Sequence, residues 1–122
     1  MKLHLHDFGE RNVIRRCEDG TITINEQTYS RSVIVMPQDI VDWRPGKIAE
    51  LTADDLHSVA QLGVELVIVG TGSRQVFPSA RVLAPLVQAS LGFEVMDSAA
   101  AARTYNILAS EGRNVAAAIL LE

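Results

Sequence analysis

The chain has 122 residues, a formal charge of −4, and 48% hydrophobic against 21% charged residues, the size and balance of one compact domain with a buried core. That balance excludes a disordered chain, which is poorer in apolar residues and richer in charge. An isoelectric point near 5.3 argues against a nucleic-acid-binding surface, which shows as a basic patch.

The first ten residues, MKLHLHDFGE, contain no apolar stretch of the secretory type, and their acidic residues do not suit a mitochondrial presequence. A cytoplasmic protein is therefore expected. His4 and His6 alternate along a predicted strand and point to one side, but Asp7 falls on the other face and no further metal ligand is evident. Val13 to Cys17 reads as a strand containing Arg15 and Arg16, the only adjacent basic pair. The turn signal Glu18-Asp19-Gly20 and the alternating Thr21 to Ile24 follow. Cys17 is the only cysteine, which excludes an internal disulfide. After a break at Asn25-Glu26-Gln27, Thr28 to Met36 predicts one longer strand ending at Pro37, completing an antiparallel meander.

Asp39 to Glu50 reads as a connector holding Trp43 and the Arg44-Pro45-Gly46 turn. Trp43 suits a core lid or an interface anchor. The rhythm then changes to helix, strand, helix, strand. Thr52 and Asp55 have the spacing of a capping box, with Asp in place of the usual Glu. That box opens a helix expected to reach Leu62 and stop at Gly63. His57 stands alone in it. Glu65 to Val69 is a nearly continuous apolar run, the pattern of a strand buried on both faces.

A loop from Gly70 to Pro78 leads to a helical segment from Ser79 to Leu91, ended by Gly92, in which Pro85 predicts a kink or a new start. Phe93 to Met96 is the next strand, Ser98 to Ser110 the third helix, and Asn114 to Leu121 an apolar closing strand. That closing run, too, is far shorter than the ~20 residues of a membrane-spanning helix. Alternation of this kind implies right-handed crossovers and a parallel element. The expected class is mixed α/β: one layered domain over residues 1–122, with the meander first.

On the third helix, Ala101, Ala102, Tyr105, Leu108 and Ala109 form one apolar stripe. Ala99, Arg103, Asn106 and Ser110 form a mostly polar stripe beside it, and Ile107 lies nearly opposite the first. Such a helix is covered on two sides or presents Ile107 to a partner.

Three groups of residues carry candidate chemistry. Gly70-Thr71-Gly72-Ser73 follows a buried strand and precedes a helix, a setting in which backbone N–H groups face an anion, with Arg74 beside it. The dinucleotide fingerprint is not completed, because Gln75 stands at the third glycine position, and no P-loop lysine follows. A tight turn requiring positive φ is the plain alternative. Asp97, between strand and helix, is placed to cap the helix, or to serve as an acid at the carboxyl end of a parallel strand. Arg103, Thr104, Tyr105 and Asn106 place four hydrogen-bonding side chains in one turn, suiting a buried polar network or a recognition face. No catalytic triad, paired carboxylates or Cys/His pair emerges from the spacing.

The strings Val69-Gly70-Thr71-Gly72, Phe77-Pro78, Val95-Met96-Asp97-Ser98-Ala99-Ala100-Ala101, Arg103-Thr104-Tyr105-Asn106-Ile107-Leu108 and Glu111-Gly112-Arg113, with Tyr29-Ser30-Arg31-Ser32 and Trp43 before them, resemble one family. It contains small bacterial and archaeal proteins of unassigned function, a human adipogenesis-associated protein and the mitochondrial respiratory complex I assembly factor three. The resemblance implies a compact domain of mixed β and α/β layers but supplies no enzyme activity, and the best-described member of the family acts through protein partners in assembly of a membrane complex. No cofactor is expected.

The leading expectation is a non-catalytic interaction or assembly factor with an unidentified protein partner, recognised near the Gly70 loop and the third helix through Arg103 and Asn106. Its rival is a binding module for a small anionic metabolite or nucleotide, with Arg74 and Arg103 converging on the glycine turn. A third reading makes Asp97 a general acid or base facing an open cleft.

Overall fold

A computed structural model of the protein describes residues 11–122. The readings of His4, His6 and the N-terminal segment lie outside the described residues. In chain order the elements are β1 (Ile14–Glu18), β2 (Thr21–Ile24), β3 (Gln27–Tyr29), β4 (Val33–Met36), β5 (Asp39–Asp42), a 3₁₀ turn (Ile48–Glu50), α1 (Ala53–Ala60), β6 (Leu66–Thr71), α2 (Ala80–Gln88), β7 (Gly92–Met96), α3 (Ser98–Ser110) and β8 (Val115–Leu120).

The strands form two sheets, an antiparallel β1-β2-β3 and a mixed five-stranded sheet in the order β5-β4-β8-β6-β7. β4 runs antiparallel to β5 and β8, while β6 runs parallel to β7 and β8. Both expected features, an initial antiparallel meander and a later parallel element, are present. The class is mixed α/β.

Three expectations are corrected. Thr28 to Met36 is two strands, because the chain leaves β2 after Tyr29 and takes β5 and β8 as new partners from Val33. Ser30-Arg31-Ser32 carries it between sheets, and the Ser32 carbonyl accepts the Trp43 N–H at 3.1 Å. The stretch expected as connector begins with a strand, since Met36 pairs with Asp39 across the two-residue Pro37-Gln38 turn and β5 continues to Asp42. α2 also runs through Pro85 as one helix. The residue with positive φ after it is Ser90 (φ 59), and Gly92 opens β7.

β8 explains the layering. Its six residues, VAAAIL, are all buried. Ala116, Ala118 and Leu120 join Leu56 and Val59 of α1 and Leu83 and Leu86 of α2 in one core, which Trp43 and Leu51 also enter. Val115, Ala117 and Ile119 join Ala101, Ala102, Tyr105 and Ala109 of α3 with Ile14, Ile22 and Ile24 of the small sheet in a second core. Helices lie on one face of the central sheet, and α3 with the small sheet on the other. Small alanines in β8 leave room for both layers to approach.

α1 is opened by the expected capping box. The Asp55 N–H donates to Thr52 Oγ1 at 3.3 Å, and the Thr52 N–H donates to Asp55 Oδ2 at 2.9 Å. Arg44 adds a two-pronged pair, Nε to Oδ1 at 2.8 Å and Nη2 to Oδ2 at 2.7 Å. The Arg44 guanidinium, opposed by burial and helped by the Thr52 bonds, holds the Asp55 carboxyl below the usual carboxylate range. A carboxylate depressed in the folded state stabilises the fold above the unfolded pKa of about 3.9 and loses that contribution as pH falls towards the folded value. Asp55→Asn is therefore expected to flatten the acid limb of the stability–pH curve below pH ~4. An unchanged acid limb in urea titrations would remove Asp55 from that role.

Candidate functional site

The carboxyl ends of β6, β7 and β8 converge on the N-terminus of α3, and Ser98 ties them together. Its Oγ accepts the Gly72 N–H at 2.9 Å and donates to the Leu120 carbonyl, while its own N–H donates to the Gly72 carbonyl at 2.8 Å. Gly72 takes φ +100 in this arrangement, a conformation that β-carbon-bearing residues rarely adopt. Gly70, Thr71 and Gly72 are buried. The Thr71 hydroxyl donates to the Arg74 carbonyl at 2.5 Å and accepts the Val76 N–H at 3.1 Å. The glycine turn thus turns its Gly72 N–H inward, towards a serine of the same chain. Ser98 escaped the sequence reading, although its place directly after a capping aspartate was the available signal.

Asp97 caps α3, with Oδ1 accepting the Ala100 N–H at 2.9 Å. It also lines a cavity of about 320 Å³ with Cys17, Glu18, Asp19 and Thr21 from the β1–β2 hairpin. Burial, reinforced by the charges of Asp97 and Glu18, pushes the Cys17 thiol up to about 11. A thiol so raised stays protonated near neutral pH and is a poor nucleophile. Among the described residues, no group of three or more His, Cys, Asp or Glu side chains is placed to hold a metal ion.

The four-residue polar turn of α3 divides by role. Tyr105 is fully buried, and its hydroxyl donates to the Asn12 carbonyl at 2.8 Å. Thr104 donates to Met96 Sδ at 3.4 Å. Asn106 brackets one residue of β1: its Oδ1 accepts the Ile14 N–H at 2.9 Å, and its Nδ2 donates to the Ile14 carbonyl at 2.8 Å. An amide side chain here satisfies a strand edge that β2 does not pair. Removing two such bonds costs about 2 kcal/mol at roughly 1 each. Asn106→Ala should show that loss in urea unfolding, with reduced hydrogen-exchange protection at Ile14. Full protection in the variant would mean that the bracket does not hold β1.

Arg103 alone of this turn is exposed. It lines a second cavity, a cleft of about 520 Å³ between β1 and α3, together with Arg15, Arg16 and Glu18. Arg74 lines a different cavity, together with Lys47, Thr71 and Ser73 of the glycine turn. The helix is covered on two sides, by the central sheet and by β1, and Ile107 remains 59% exposed. Among the described residues no helix is long and apolar enough to cross a membrane.

Comparison with known proteins agrees with the resemblance seen in the sequence. The human NADH dehydrogenase [ubiquinone] 1 alpha subcomplex assembly factor 3 is 33% identical over 88 residues, covering 70% of this chain but 48% of that protein. The chain therefore spans about half the length of this relative. A 13 kDa major membrane protein of Francisella tularensis is 24% identical over 103 residues, covering 83% of this chain and 84% of that protein. A crystal structure of a Bordetella parapertussis protein superposes with a TM-score of 0.85 at 37% identity, covering 92% of this chain and 97% of that one. Residues 14–120 match the family described as "Protein of unknown function (DUF498/DUF598)", and the chain belongs to that family.

Proposed function

We propose that the chain is a non-catalytic protein-interaction domain of the cytoplasm that acts as an assembly factor, holding a subunit of a membrane-associated complex before its incorporation. The observation that carries this reading is the likeness to the human assembly factor, 33% identical over 70% of the chain. The site geometry supports it. Ser98, Thr71, Tyr105 and Asn106 spend their polar groups on bonds within the fold, and Arg103 faces an open cleft whose walls carry further charge.

The test is deletion of the protein in its host, followed by native electrophoresis of solubilised membranes and in-cell crosslinking of the tagged chain. Loss of one mature complex, with one of its subunits crosslinked to the chain, is the expected result. Wild-type abundance of every complex, with the chain recovered alone, would refute the reading.

A further inference from the structure

Neighbouring residues in a regular strand point to opposite faces, so Arg15 and Arg16 would ordinarily part. They do not. The pairing of β1 on β2 slips between Ile14 and Arg16, an irregularity of the kind that bends a strand and re-aims its side chains. Both arginines are exposed and both line the cleft whose other wall carries Arg103. Asn106, clamped on the Ile14 backbone, fixes the distance between the walls. In a chain with formal charge −4, the cleft is a local inversion: among the described residues that line it, three guanidiniums stand against the single carboxylate of Glu18. The Arg16–Glu18 pair, 3.8 Å apart with both side chains well over half exposed, is a weak and displaceable contact.

We propose that this cleft docks an acidic, extended segment of the protein partner, its carboxylates gripped by Arg15, Arg16 and Arg103. The proposal rests on the protein-interaction reading above and names the chemistry that reading leaves open. Guanidinium forks match carboxylates in paired hydrogen bonds. A volume of about 520 Å³ between a strand and a helix is in the range of a site for a small ligand or a few side chains. Nucleic acid fits the cleft less well, because the chain as a whole is acidic and, among the described residues, no aromatic lines the cleft for a base to stack on.

The test titrates the full chain into a fluorescein-labelled peptide of alternating Glu and Ser, read by anisotropy, with a Gln/Ser peptide as control. The wild type is expected to bind the Glu peptide, more weakly as salt rises, and to ignore the control. Arg15→Gln/Arg16→Gln/Arg103→Gln should weaken binding roughly tenfold or more. These side chains are exposed, so the variant should keep its circular dichroism and melting temperature. Glu18→Gln, which frees Arg16, should bind roughly threefold tighter. Equal binding of both peptides, or equal affinity of wild type and triple variant, overturns the proposal. So does tighter binding of oligothymidylate or phosphatidylserine vesicles. In-cell crosslinking separates the two readings: a subunit captured equally by wild type and triple variant refutes the cleft alone, while capture by neither refutes the interaction role.

Discussion

Truncating Tyr105 to alanine is expected to cost about 3–5 kcal/mol, the range for a fully buried aromatic side chain. Tyr105 heads the largest fully buried side chains and lies in the core shared by α3, the small sheet and the central sheet. Its ring fills the space where three layers meet, so its loss opens a cavity that no single neighbour can close. The hydroxyl contributes separately by holding the Asn12 carbonyl at 2.8 Å. Asn12 in turn donates from its backbone N–H to the Pro37 carbonyl and from its side chain to the Met36 carbonyl, each at 2.8 Å. Tyr105→Phe keeps the ring and leaves that carbonyl without its partner, an expected loss of about 1 kcal/mol. Urea unfolding of the two variants measures ring and hydroxyl apart. An alanine variant within about 1 kcal/mol of wild type would show that the layers do not depend on this ring. Burial also pushes the phenol above its ordinary range, so tyrosinate should form only as the fold opens at high pH.

Gly70→Val is the second large effect. A Cβ on Gly70 would sit 2.8 Å from Ser98 Oγ, 3.1 Å from Ser98 Cα and 3.2 Å from Ala101 Cβ. The obstacle includes backbone, and that backbone cannot retreat freely, because Ser98 is bonded to Gly72 and Leu120 at once. Adding bulk to a packed core costs about 1–3 kcal/mol. Gly70→Ala should fall inside that range, and the branched valine at or above its top. Both are read by thermal unfolding, with hydrogen exchange at the first turn of α3 showing where the strain goes. A valine variant as stable as wild type would mean that α3 is not seated tightly on β6.

Local chemistry made much of the fold legible. Thr52 with Asp55 marks the start of α1 because a capping box is complete within four residues. Asp97 marks the start of α3 as a lone N-cap, its carboxylate accepting the Ala100 N–H, and apolar runs mark β6 and β8, both of which are covered on both faces. What escaped depends on partners distant in the chain. Nothing in Thr28 to Met36 announces that Tyr29 pairs with Ile22 while Val33 pairs with Ile119, since β-forming residues flank the join on both sides. Asp39 to Asp42 hid because an edge strand needs only Ile40 and Val41 to be partly covered. The candidate site divides similarly. Helical spacing placed Arg103 and Asn106 on one face, but the meeting of Asn106 with Ile14, and of Arg103 with Arg15 and Arg16, needs a contact across some ninety positions. A strand irregularity between Ile14 and Arg16, invisible in composition, lies in the same stretch.

The order of strands also governs how the molecule can be made. β8, the last strand in the chain, lies between β4 and β6 and joins the antiparallel pair to the parallel one. Val33 must wait for Ile119, and Leu66 for Val115. A ribosome delivers the chain from its N-terminus, so the β4–β5 hairpin and the β6–α2–β7 unit emerge as separate pieces with open edges where β8 belongs. Neither core can close until residues 115–120 arrive, and closure then requires contacts between distant segments, which form slowly. A domain built around its last strand therefore folds as a whole, and its nascent form offers chaperones two exposed apolar edges in the meantime.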